Sequence, residues 1–265
     1  MPLPFQPRKK IPDGLKAAIS FLTRIPVPMG IMAASLPWFA PVGLFIGIFC
    51  TAATLAFYHI LLQSCLPGFE AALGSGWLWI CAEIWISGAL HWDGVADLGD
   101  AIQANGAKFW QILKDSRLGA FGAISLGMII MGQFIGACLH ISLIQSGSWL
   151  PAATLALAPA WARLGPIWLG YKACPHHGPS LAATICGNAT IGILSVALME
   201  AAIILAITFC LGLSVLRCLA ILAGQALINS WYKKMAQKHG GISGDFFGSH
   251  IEASQLFFLL ATISV

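Results

Sequence analysis

Long apolar stretches separated by short polar connections run through the whole chain. A transmembrane helix needs about 20 predominantly apolar residues to cross the hydrocarbon core of a bilayer. Stretches of this kind cover approximately residues 39–62, 72–90, 118–143, 150–170, 189–211 and 214–230. A further stretch, 255–265, crosses only if its helix begins earlier, near Ser249. The pattern therefore predicts an all-α integral membrane protein, a polytopic helical bundle with about six or seven transmembrane helices.

The composition agrees with a membrane protein. Of 265 residues, 58% are hydrophobic and 9% are charged, and the mean hydropathy is +0.83, which excludes an ordinary soluble domain of this length. Residues 1–265 are expected to form one membrane-embedded domain, in which residues 1–38 are a cytoplasmic or interfacial N-terminal segment. Membrane lipid is its expected surrounding, and no nucleic-acid partner is expected. Small residues on the span faces permit a homo-oligomer.

Nearly all basic residues fall on one side of the predicted spans. This side carries twelve of the fourteen Lys and Arg residues and seven of the ten Asp and Glu residues. Cytoplasmic loops carry an excess of Lys and Arg, so this side is predicted to be cytoplasmic, with the N-terminus inside. The twelve basic residues are Arg8, Lys9, Lys10, Lys16, Arg24, Lys108, Lys114, Arg117, Lys172, Lys233, Lys234 and Lys238.

Three aspartates crowd into the ten-residue segment HWDGVADLGD, which lies on the cytoplasmic side. In a helix, Asp93, Asp97 and Asp100 stand at positions i, i+4 and i+7, within about 60° of one another around the axis. Like charges this close repel each other unless a cation lies between them. Carboxylates suit Mg²⁺ or Mn²⁺, and a divalent ion held in this way usually serves phosphate chemistry. The segment therefore predicts a metal site for a phosphate-bearing substrate.

A basic segment, KDSRLGAFG, follows at the start of the next span. Its Arg117 has a guanidinium fork that can bind a phosphate in two places, and Lys114 adds a second cation. Ser116 offers a hydroxyl donor. The same residues are typical of a positive-inside anchor at the end of a span, but beside three aspartates the phosphate interpretation is favoured.

A glycine-rich segment, HGGISGDFFGSHIE, occupies the last cytoplasmic connection. The backbone N–H groups of Gly240, Gly241 and Gly244 are candidates for an anion-binding nest. Asp245 and Glu252 are candidates for metal or substrate binding. The segment lacks the GK[ST] ending of a Walker loop and the strand–helix surroundings of a Rossmann fingerprint.

Four charged residues fall within predicted spans, where charges are usually functional. Arg163 lies near the cytoplasmic end of its span and is expected either to reach a polar pocket or to snorkel to the interface. Glu83 lies mid-span and is expected to pair with a span arginine. Glu200 and Arg217 are expected to pair with each other across the short turn near Gly212.

Four separate segments carry a resemblance to a known family. They are FLTRIPVP at Phe21–Pro28, HWDGVADLGD at His91–Asp100, ILKDSRLGAFG at Ile112–Gly122 and GGISGDFFGSHIE at Gly240–Glu252. In order and spacing they resemble cobalamin synthase, the adenosylcobinamide-GDP ribazoletransferase family, over nearly the whole chain.

The resemblance implies a multi-spanning, Mg²⁺-using enzyme of the bacterial inner membrane whose active site faces the cytoplasm. Its substrates are expected to be adenosylcobinamide-GDP and either α-ribazole or α-ribazole 5′-phosphate. The implied reaction releases GMP and forms adenosylcobalamin or its 5′-phosphate, which completes the nucleotide loop of cobalamin. On this basis the single membrane-embedded domain is expected to be catalytic.

The resemblance also implies site residues, position by position. The catalytic set is expected to be His91, Asp93, Asp97, Asp100 and Arg117, and the three aspartates are also the expected metal ligands. The substrate-binding set is expected to be Lys114, Asp115, Ser116, Arg163, Gly240, Gly241, Gly244, Asp245 and Glu252. Gln111 and Ala101 depart from the family pattern, because a glutamate and a glycine are common at these positions.

We expect the aspartates to hold Mg²⁺ against the diphosphate, and Arg117 with Lys114 to stabilise the departing GMP. His91 is a candidate general base toward the ribazole hydroxyl, and the aspartates are equally good candidates. On a continuous helix, His91 points roughly opposite Asp93. It therefore either precedes the helix or has another role.

Two other functions fit parts of the sequence. A CDP-alcohol phosphotransferase also uses an aspartate-rich run on membrane helices, but its usual signature, DGxxAR followed by a longer spacer and two more aspartates, is not matched around Asp97 and Asp100. A cation transporter would place acids near the bilayer midplane on paired broken helices. Here the acids cluster in cytoplasmic segments, so both functions are disfavoured.

Overall fold

The computed structural model describes residues 11–64, 66–144, 147–176 and 180–263. Over these ranges the chain forms helices and two 3-10 turns (Met32–Ala34 and Leu36–Trp38), together with one isolated bridge between Pro175 and Ile242. The helices are α1 (Asp13–Leu22), α2 (Phe39–Gln63), α3 (Gly68–Ser87), α4 (Leu90–Ala101), α5 (Ala107–Leu113), α6 (Ala120–Leu143), α7 (Leu150–Arg163), α8 (Gly165–Gly170), α9 (Leu181–Asn188), α10 (Ile191–Cys210), α11 (Val215–Lys238) and α12 (Gly244–Ala261).

Within the described ranges, three helical segments are long and apolar enough to cross a membrane: Leu36–Gln63, which contains α2, and the helices α6 and α10. The helices α3 and α4 together form a fourth candidate, which is bent by 94°. The predicted all-helical, polytopic membrane fold is confirmed. The remaining predicted spans are occupied by α7 with α8, by α11 and by α12. The number of six or seven crossings stays a prediction.

Two predicted span boundaries are changed by the structure. The stretch 150–170 is not one helix but breaks at Leu164 into α7 and α8. Pro166 has no backbone N–H to continue the helical hydrogen bonds, and Pro159 already interrupts them within α7. The last helix, α12, begins at Gly244, five residues before Ser249.

Small residues allow the spans to pack closely. A Cβ atom added at Gly47 of α2 would collide with the carbonyl of Ala156 in α7, and one added at Gly43 would lie 2.5 Å from the carbonyl oxygen of Pro159. Close backbone approach of this kind is a main source of helix association in lipid. The opposite faces of the spans carry exposed large apolar side chains, as on α6 at Ile124, Met128, Met131 and Ile135.

A sharp turn between α3 and α4 sets the direction of the helix that carries the three aspartates. Gly88 and Ala89 both adopt left-handed conformations, with φ of 68° and 60°. This region is unfavourable for alanine, so the surrounding structure must hold the turn in place. The backbone N–H of Arg24 donates to the carbonyl of Ile86 (2.8 Å), which ties the N-terminal segment to the turn.

Glycines also bring α4 against the first turns of α6 and α12. A Cβ atom added at Gly94 would lie 2.7 Å from the carbonyl oxygen of Asp245, and one at Gly99 would lie 2.6 Å from the Ser125 hydroxyl. Since the spacing at these crossings admits only glycine, the packing fixes the rotation of α4. The acidic face of α4 therefore lies beside the N-termini of two other helices.

The N-terminal segment packs through α1, which buries Gly14, Ala17, Ala18 and Leu22. Its expected interfacial or cytoplasmic position stays a prediction, as does the division into one domain. Arg8, Lys9 and Lys10, which contribute to the predicted orientation, lie outside the described residues.

Candidate active site

Four aspartates from two helices gather at the mouth of the bundle. The helix predicted for HWDGVADLGD is confirmed, because α4 runs unbroken through Asp93, Asp97 and Asp100. Asp245 joins them from the first turn of α12. Asp93 and Asp245 line the same cavity. Acids that are distant in sequence therefore face one another.

Burial and mutual repulsion both act on the carboxylates of this cluster. Asp97 follows the apolar stretch 72–90 and Asp245 precedes the apolar stretch 255–265, so neither residue lies within a stretch predicted to cross the membrane. Burial, together with the charges of Asp93, Asp245 and Asp100, raises the pKa of Asp97 to about 6. Burial also raises the pKa of Asp245, although the Ser243 hydroxyl donates to its carboxylate (2.9 Å) and opposes the shift. Burial and the repulsion between like charges both favour the protonated form of these carboxyl groups.

Asp100 has a structural partner that the sequence did not predict. Its two oxygens accept hydrogen bonds from the backbone N–H groups of Gly119 (2.7 Å) and Gly122 (2.8 Å). A Cβ atom at either glycine would collide with the carboxylate. The carboxylate thus caps the N-terminus of α6, where negative charge is favoured by the helix dipole. Asp100 ties the basic segment to α4 in addition to any role toward metal.

We predict that Asp100→Ala lowers the free energy of unfolding by about 1 kcal/mol, the usual effect of losing an N-terminal cap. The matched control is Asp93→Ala, which removes a carboxylate on the same helix face for which the structure shows no hydrogen bond. Thermal unfolding in detergent compares the two variants. Equal stability would contradict the capping role of Asp100.

The basic segment between α5 and α6 presents an oriented arginine. Arg117 donates from Nε to Oδ1 of Asp115 (3.0 Å) and from Nη2 to Oδ2 (2.6 Å), while its side chain remains 87% exposed. These hydrogen bonds hold the pKa of Asp115 down at about 2. Asp115 is therefore ionised and orients Arg117. Ser116 is exposed beside this pair, and Lys114 points to a neighbouring cleft.

Two adjoining cavities form what we term the aspartate cleft. The first, of about 370 Å³, is lined by Lys114, Trp110, His176 and Asp245, among others. The second, of about 230 Å³, is lined by His91, Asp93 and Asp245. Both cavities include Gly244, Asp245 and Leu181 in their walls. One cationic side chain, that of Lys114, and two carboxylates, those of Asp93 and Asp245, therefore face one cleft.

The glycine segment is organised differently from the predicted anion nest. The N–H groups of Gly240 and Gly241 donate to the carbonyls of Gln237 and Ala236, at 3.3 and 2.8 Å. With φ of 77° and 148°, these glycines end α11 in the manner of a helix C-cap. The nest predicted at these two residues is wrong, because their donors are already used. Gly244, in contrast, begins α12 and lines the aspartate cleft.

Beneath the cleft lies a buried polar cluster. Arg163 and Glu83 are both fully buried and form an ion pair, with Nη2 and Oε1 at 3.0 Å. Gln255 accepts from Arg163 (2.7 Å) and donates to Glu83 (2.6 Å) and to the side-chain oxygen of Gln133 (2.8 Å). Gln133 in turn donates to Glu252 (2.9 Å), which is also fully buried. We term these five residues the interior cluster.

The interior cluster tests several predictions about the charged residues within the spans. The pairing of Glu83 with a span arginine is confirmed, and Arg163 and Glu252 lie inside the bundle rather than on the cleft wall. The pairing of Glu200 with Arg217 is wrong: the described chain forms no such ion pair, since Glu200 lies in the middle of α10 and Arg217 in the first turn of α11. Gln133 and Gln255 were missed, although amides within apolar spans are a signal in themselves.

His91 lies within α4 rather than before it, so its ring points away from Asp93 as helical geometry requires. The side chain is 2% exposed, and its Nδ1 lies 3.6 Å from Oε1 of Glu252. One part of the residue reaches the wall of the cleft beside Asp93. His91 therefore connects the cleft with the interior cluster.

Comparison with known proteins places the chain in a family. The family model described as cobalamin-5-phosphate synthase matches residues 14–263. An adenosylcobinamide-GDP ribazoletransferase of Nitratidesulfovibrio vulgaris (strain DP4) is 34% identical over 251 residues, which cover 92% of this chain and 94% of the relative. Proteins of the same name from Acetivibrio thermocellus and Novosphingobium aromaticivorans are 33% and 30% identical, and the matches cover 91% and 94% of this chain and 94% and 95% of those relatives.

No solved structure matches the chain. The matched regions nevertheless cover nearly the full length of these relatives. Their shared name agrees with the resemblance carried by the four segments. The chain belongs to the cobalamin-5-phosphate synthase family.

Proposed function

We propose that this protein transfers the adenosylcobinamide phosphate moiety of adenosylcobinamide-GDP to α-ribazole or α-ribazole 5′-phosphate and releases GMP. The family match over residues 14–263 and the names of the relatives support this activity. The observation that carries the proposal is the aspartate cleft. Its carboxylates come from α4 and α12, and Lys114 and the oriented Arg117 lie on the basic segment beside it.

The reaction replaces a phosphoanhydride bond to GMP by a phosphate ester bond to the acceptor. An acceptor hydroxyl oxygen bonds to the phosphorus that carries cobinamide, and the anhydride bond between this phosphorus and GMP breaks. GMP leaves with the bonding electron pair, and the hydroxyl proton passes to a base. Negative charge grows on the departing phosphate, so the protein must supply positive charge there.

The carboxylates fit Mg²⁺ in its usual protein environment. Among the described residues, no three His, Cys, Asp or Glu side chains lie close enough together to hold a metal ion by themselves. Mg²⁺ normally keeps several waters and binds through one or two carboxylates together with substrate phosphates. We propose Asp93, Asp97 and Asp245 as the metal-facing carboxylates, with Asp100 anchoring α4. When bound, Mg²⁺ neutralises charge on the diphosphate.

The roles of the other predicted site residues follow from whether each side chain is exposed, lines the cleft or lies in the interior. Arg117 and Lys114 are exposed and stabilise the departing phosphate, with Asp115 holding the arginine. The acceptor proton passes to one of two residues that line the cleft, Asp93 or His91. Arg163 and Glu252 support the cleft floor from the interior. Ser116 and Gly244 offer hydroxyl and backbone donors to the substrate.

The basic residues support an active site on the cytoplasmic face of a bacterial inner membrane. Lys114 lines the aspartate cleft, and Arg117 lies on the adjoining segment. Cytoplasmic loops are rich in such residues. Lipid surrounds the exposed apolar faces of the spans, and the same faces permit a homo-oligomer.

We predict that Arg117→Gln lowers kcat about 10- to 100-fold with little change in the amount of folded protein. The side chain is exposed, and among the described residues it forms an ion pair with Asp115 alone, so its loss affects stability little. Lys108→Gln is the matched control, because it removes another exposed cation that is not oriented by an ion pair with any described residue. Equal effects of the two variants would show that Arg117 acts only as a membrane anchor.

The proposed activity is tested by substrate choice. Purified protein in detergent is supplied with adenosylcobinamide-GDP and α-ribazole, and separately with CDP-alcohols and an alcohol acceptor. GMP release that requires both cobalamin precursors supports the proposal. Release of CMP from CDP-alcohols, with no GMP release, would overturn it.

A further inference from the structure

A groove between α10 and α11 runs along the outside of the bundle, and we term it the lateral groove. It has a volume of about 300 Å³ and shares no wall residue with the aspartate cleft. Leu198 of α10 and Leu222 of α11 line it and remain 56% and 48% exposed. Because α10 is long and apolar enough to cross the membrane, the lateral groove opens toward lipid.

The exposed wall of the lateral groove changes from apolar to polar along α11. Leu222 and Ala226 are followed by Asn229 and Lys233. Leu222 and Lys233 lie about 16 Å apart along the helix, at a rise of 1.5 Å per residue. Lys233 is near the C-terminal end of α11, which leads into the helix that carries Asp245. The positive charge of the groove therefore lies toward the active-site end of the bundle, and its apolar part lies deeper in the membrane.

Hydrogen bonds behind the lateral groove use the acceptors of its wall. Trp161 Nε1 donates to Oε1 of Gln225 (2.9 Å), and Nε2 of Gln225 donates to Ser254 (3.0 Å). The same Gln225 nitrogen donates to Oδ1 of Asn229 (3.0 Å), and Nε2 of His250 lies 2.7 Å from that oxygen. The side-chain oxygens of Gln225 and Asn229 are therefore occupied within the protein.

Three residues of the groove wall keep unused hydrogen-bond donors. The side chain of Trp168 is only 8% exposed, and its indole Nε1 has no hydrogen-bond partner among the described residues. Nδ2 of Asn229 likewise donates to no acceptor in the described ranges. Lys233 is half-buried, its Nζ lies 3.5 Å from the carbonyl oxygen of Tyr171, and it pairs with no described acid. Buried donors require acceptors, so the wall suits a ligand that is anionic and rich in acceptor oxygens.

We propose that the lateral groove binds an anionic phospholipid. The phosphodiester and ester carbonyl oxygens of the lipid accept hydrogen bonds from Lys233, Asn229 and Trp168. One acyl chain packs against Leu198 and Leu222. Basic pockets between transmembrane helices bind anionic headgroups in this way.

The charge of the groove selects among phospholipids. No Asp or Glu lines the wall, so the ammonium group of a zwitterionic headgroup finds no carboxylate there and is repelled by Lys233. Phosphatidylglycerol is therefore favoured over phosphatidylethanolamine. A soluble phosphate leaves the apolar part of the groove unfilled, so a lipid fits the whole wall better.

The test measures phosphatidylglycerol binding to the detergent-solubilised full chain by native mass spectrometry. Lys233→Gln is expected to weaken the tightest binding step about tenfold, since it removes a charged hydrogen bond. Lys234→Gln is the matched control, because Lys234 is exposed beside Lys233 on α11 but does not line the groove. The control is expected to bind phosphatidylglycerol as the wild type does.

A second pair of variants tests the apolar part of the groove without changing charge. Ala226 lines the groove, whereas its neighbour Leu227 does not and is 72% exposed. Ala226→Phe is expected to weaken phosphatidylglycerol binding as strongly as Lys233→Gln does, because the ring occupies the space of the acyl chain. Leu227→Phe is expected to leave binding unchanged. Thermal unfolding in detergent checks that all four variants are folded.

Equal retention of phosphatidylglycerol by the two lysine variants would overturn the inference, since the bound lipid is then ordinary boundary lipid. Binding of phosphatidylethanolamine to the wild type as tight as that of phosphatidylglycerol would also overturn it. Glycerol phosphate provides the headgroup chemistry without acyl chains. If it displaces the lipid at equal concentration, the groove is a site for a soluble phosphate and not for a lipid. None of these measurements uses turnover, so they are independent of the proposed function.

Discussion

Asp97→Asn is expected to lower GMP release about 10³-fold, the size of effect seen when a single group that stabilises transition-state charge is removed. Asp97 lies at the centre of the acidic face of α4, between Asp93 and Asp100, and is electrostatically coupled to both and to Asp245. A neutral amide keeps the size of the side chain but weakens metal binding. The measurement is kcat with adenosylcobinamide-GDP and α-ribazole at saturating Mg²⁺.

The same substitution is expected to preserve or raise stability in metal-free buffer. The pKa of Asp97 is raised to about 6 from its ordinary 3.8, so the folded protein favours the protonated form. Stability contributed by this group is present below pH 3.8 and is lost as the pH rises to about 6. Asparagine is neutral at every pH, so the Asp97→Asn variant does not lose this stability at pH 7.

The control for Asp97→Asn is Asp13→Asn, which removes an exposed aspartate whose surface pair with Lys16 contributes little to stability. The control is expected to keep wild-type turnover. Near-normal turnover by folded Asp97→Asn would contradict a catalytic role for the acidic cluster. Loss of activity together with a large loss of stability would indicate that Asp97 is structural.

Arg163→Met is expected to destabilise the protein by about 3 to 5 kcal/mol, because it leaves the buried carboxylate of Glu83 without its cation. Both side chains are fully buried, and Gln255 binds both of them. The expected result is a large fall in thermal stability in detergent, or a low yield of folded protein. Arg217→Met is the matched control, since it removes a span arginine that makes no ion pair with any described residue.

A second variant separates charge pairing from packing at this site. Glu83→Gln combined with Arg163→Met removes both charges and is expected to recover much of the stability lost by Arg163→Met alone. If the double variant is no more stable than the single one, then the contribution of Arg163 lies in its packing and its hydrogen bond to Gln255. That result would contradict the account of the interior cluster as an ion-paired core.

Local features of the site were predictable from sequence. The helical period alone places Asp93, Asp97 and Asp100 on one face, and the structure keeps that helix unbroken. The same period places His91 on the opposite face, where its ring meets Glu252 instead of the aspartates. The apolar stretches likewise predict the long helices, since each needs only its own residues.

Features that depend on contacts between distant segments were not predictable in this way. The approach of Asp245 to α4 depends on the missing side chain at Gly94, and the capping of α6 by Asp100 depends on two glycines about twenty residues later. The glycine pair after α11 is a case in which a local prediction was wrong. Gly240 and Gly241 have the composition of an anion nest, but the helix before them uses their donors.

The most direct test of the central claim is a single-turnover reaction of the purified, detergent-solubilised protein with adenosylcobinamide-GDP and α-ribazole, with and without Mg²⁺. GMP and the corrinoid product are followed in the same samples. The account predicts that both appear together, in equal amounts, and only when Mg²⁺ is present. Folded protein that releases no GMP with any divalent metal, or that releases GMP without forming the corrinoid product, would contradict it.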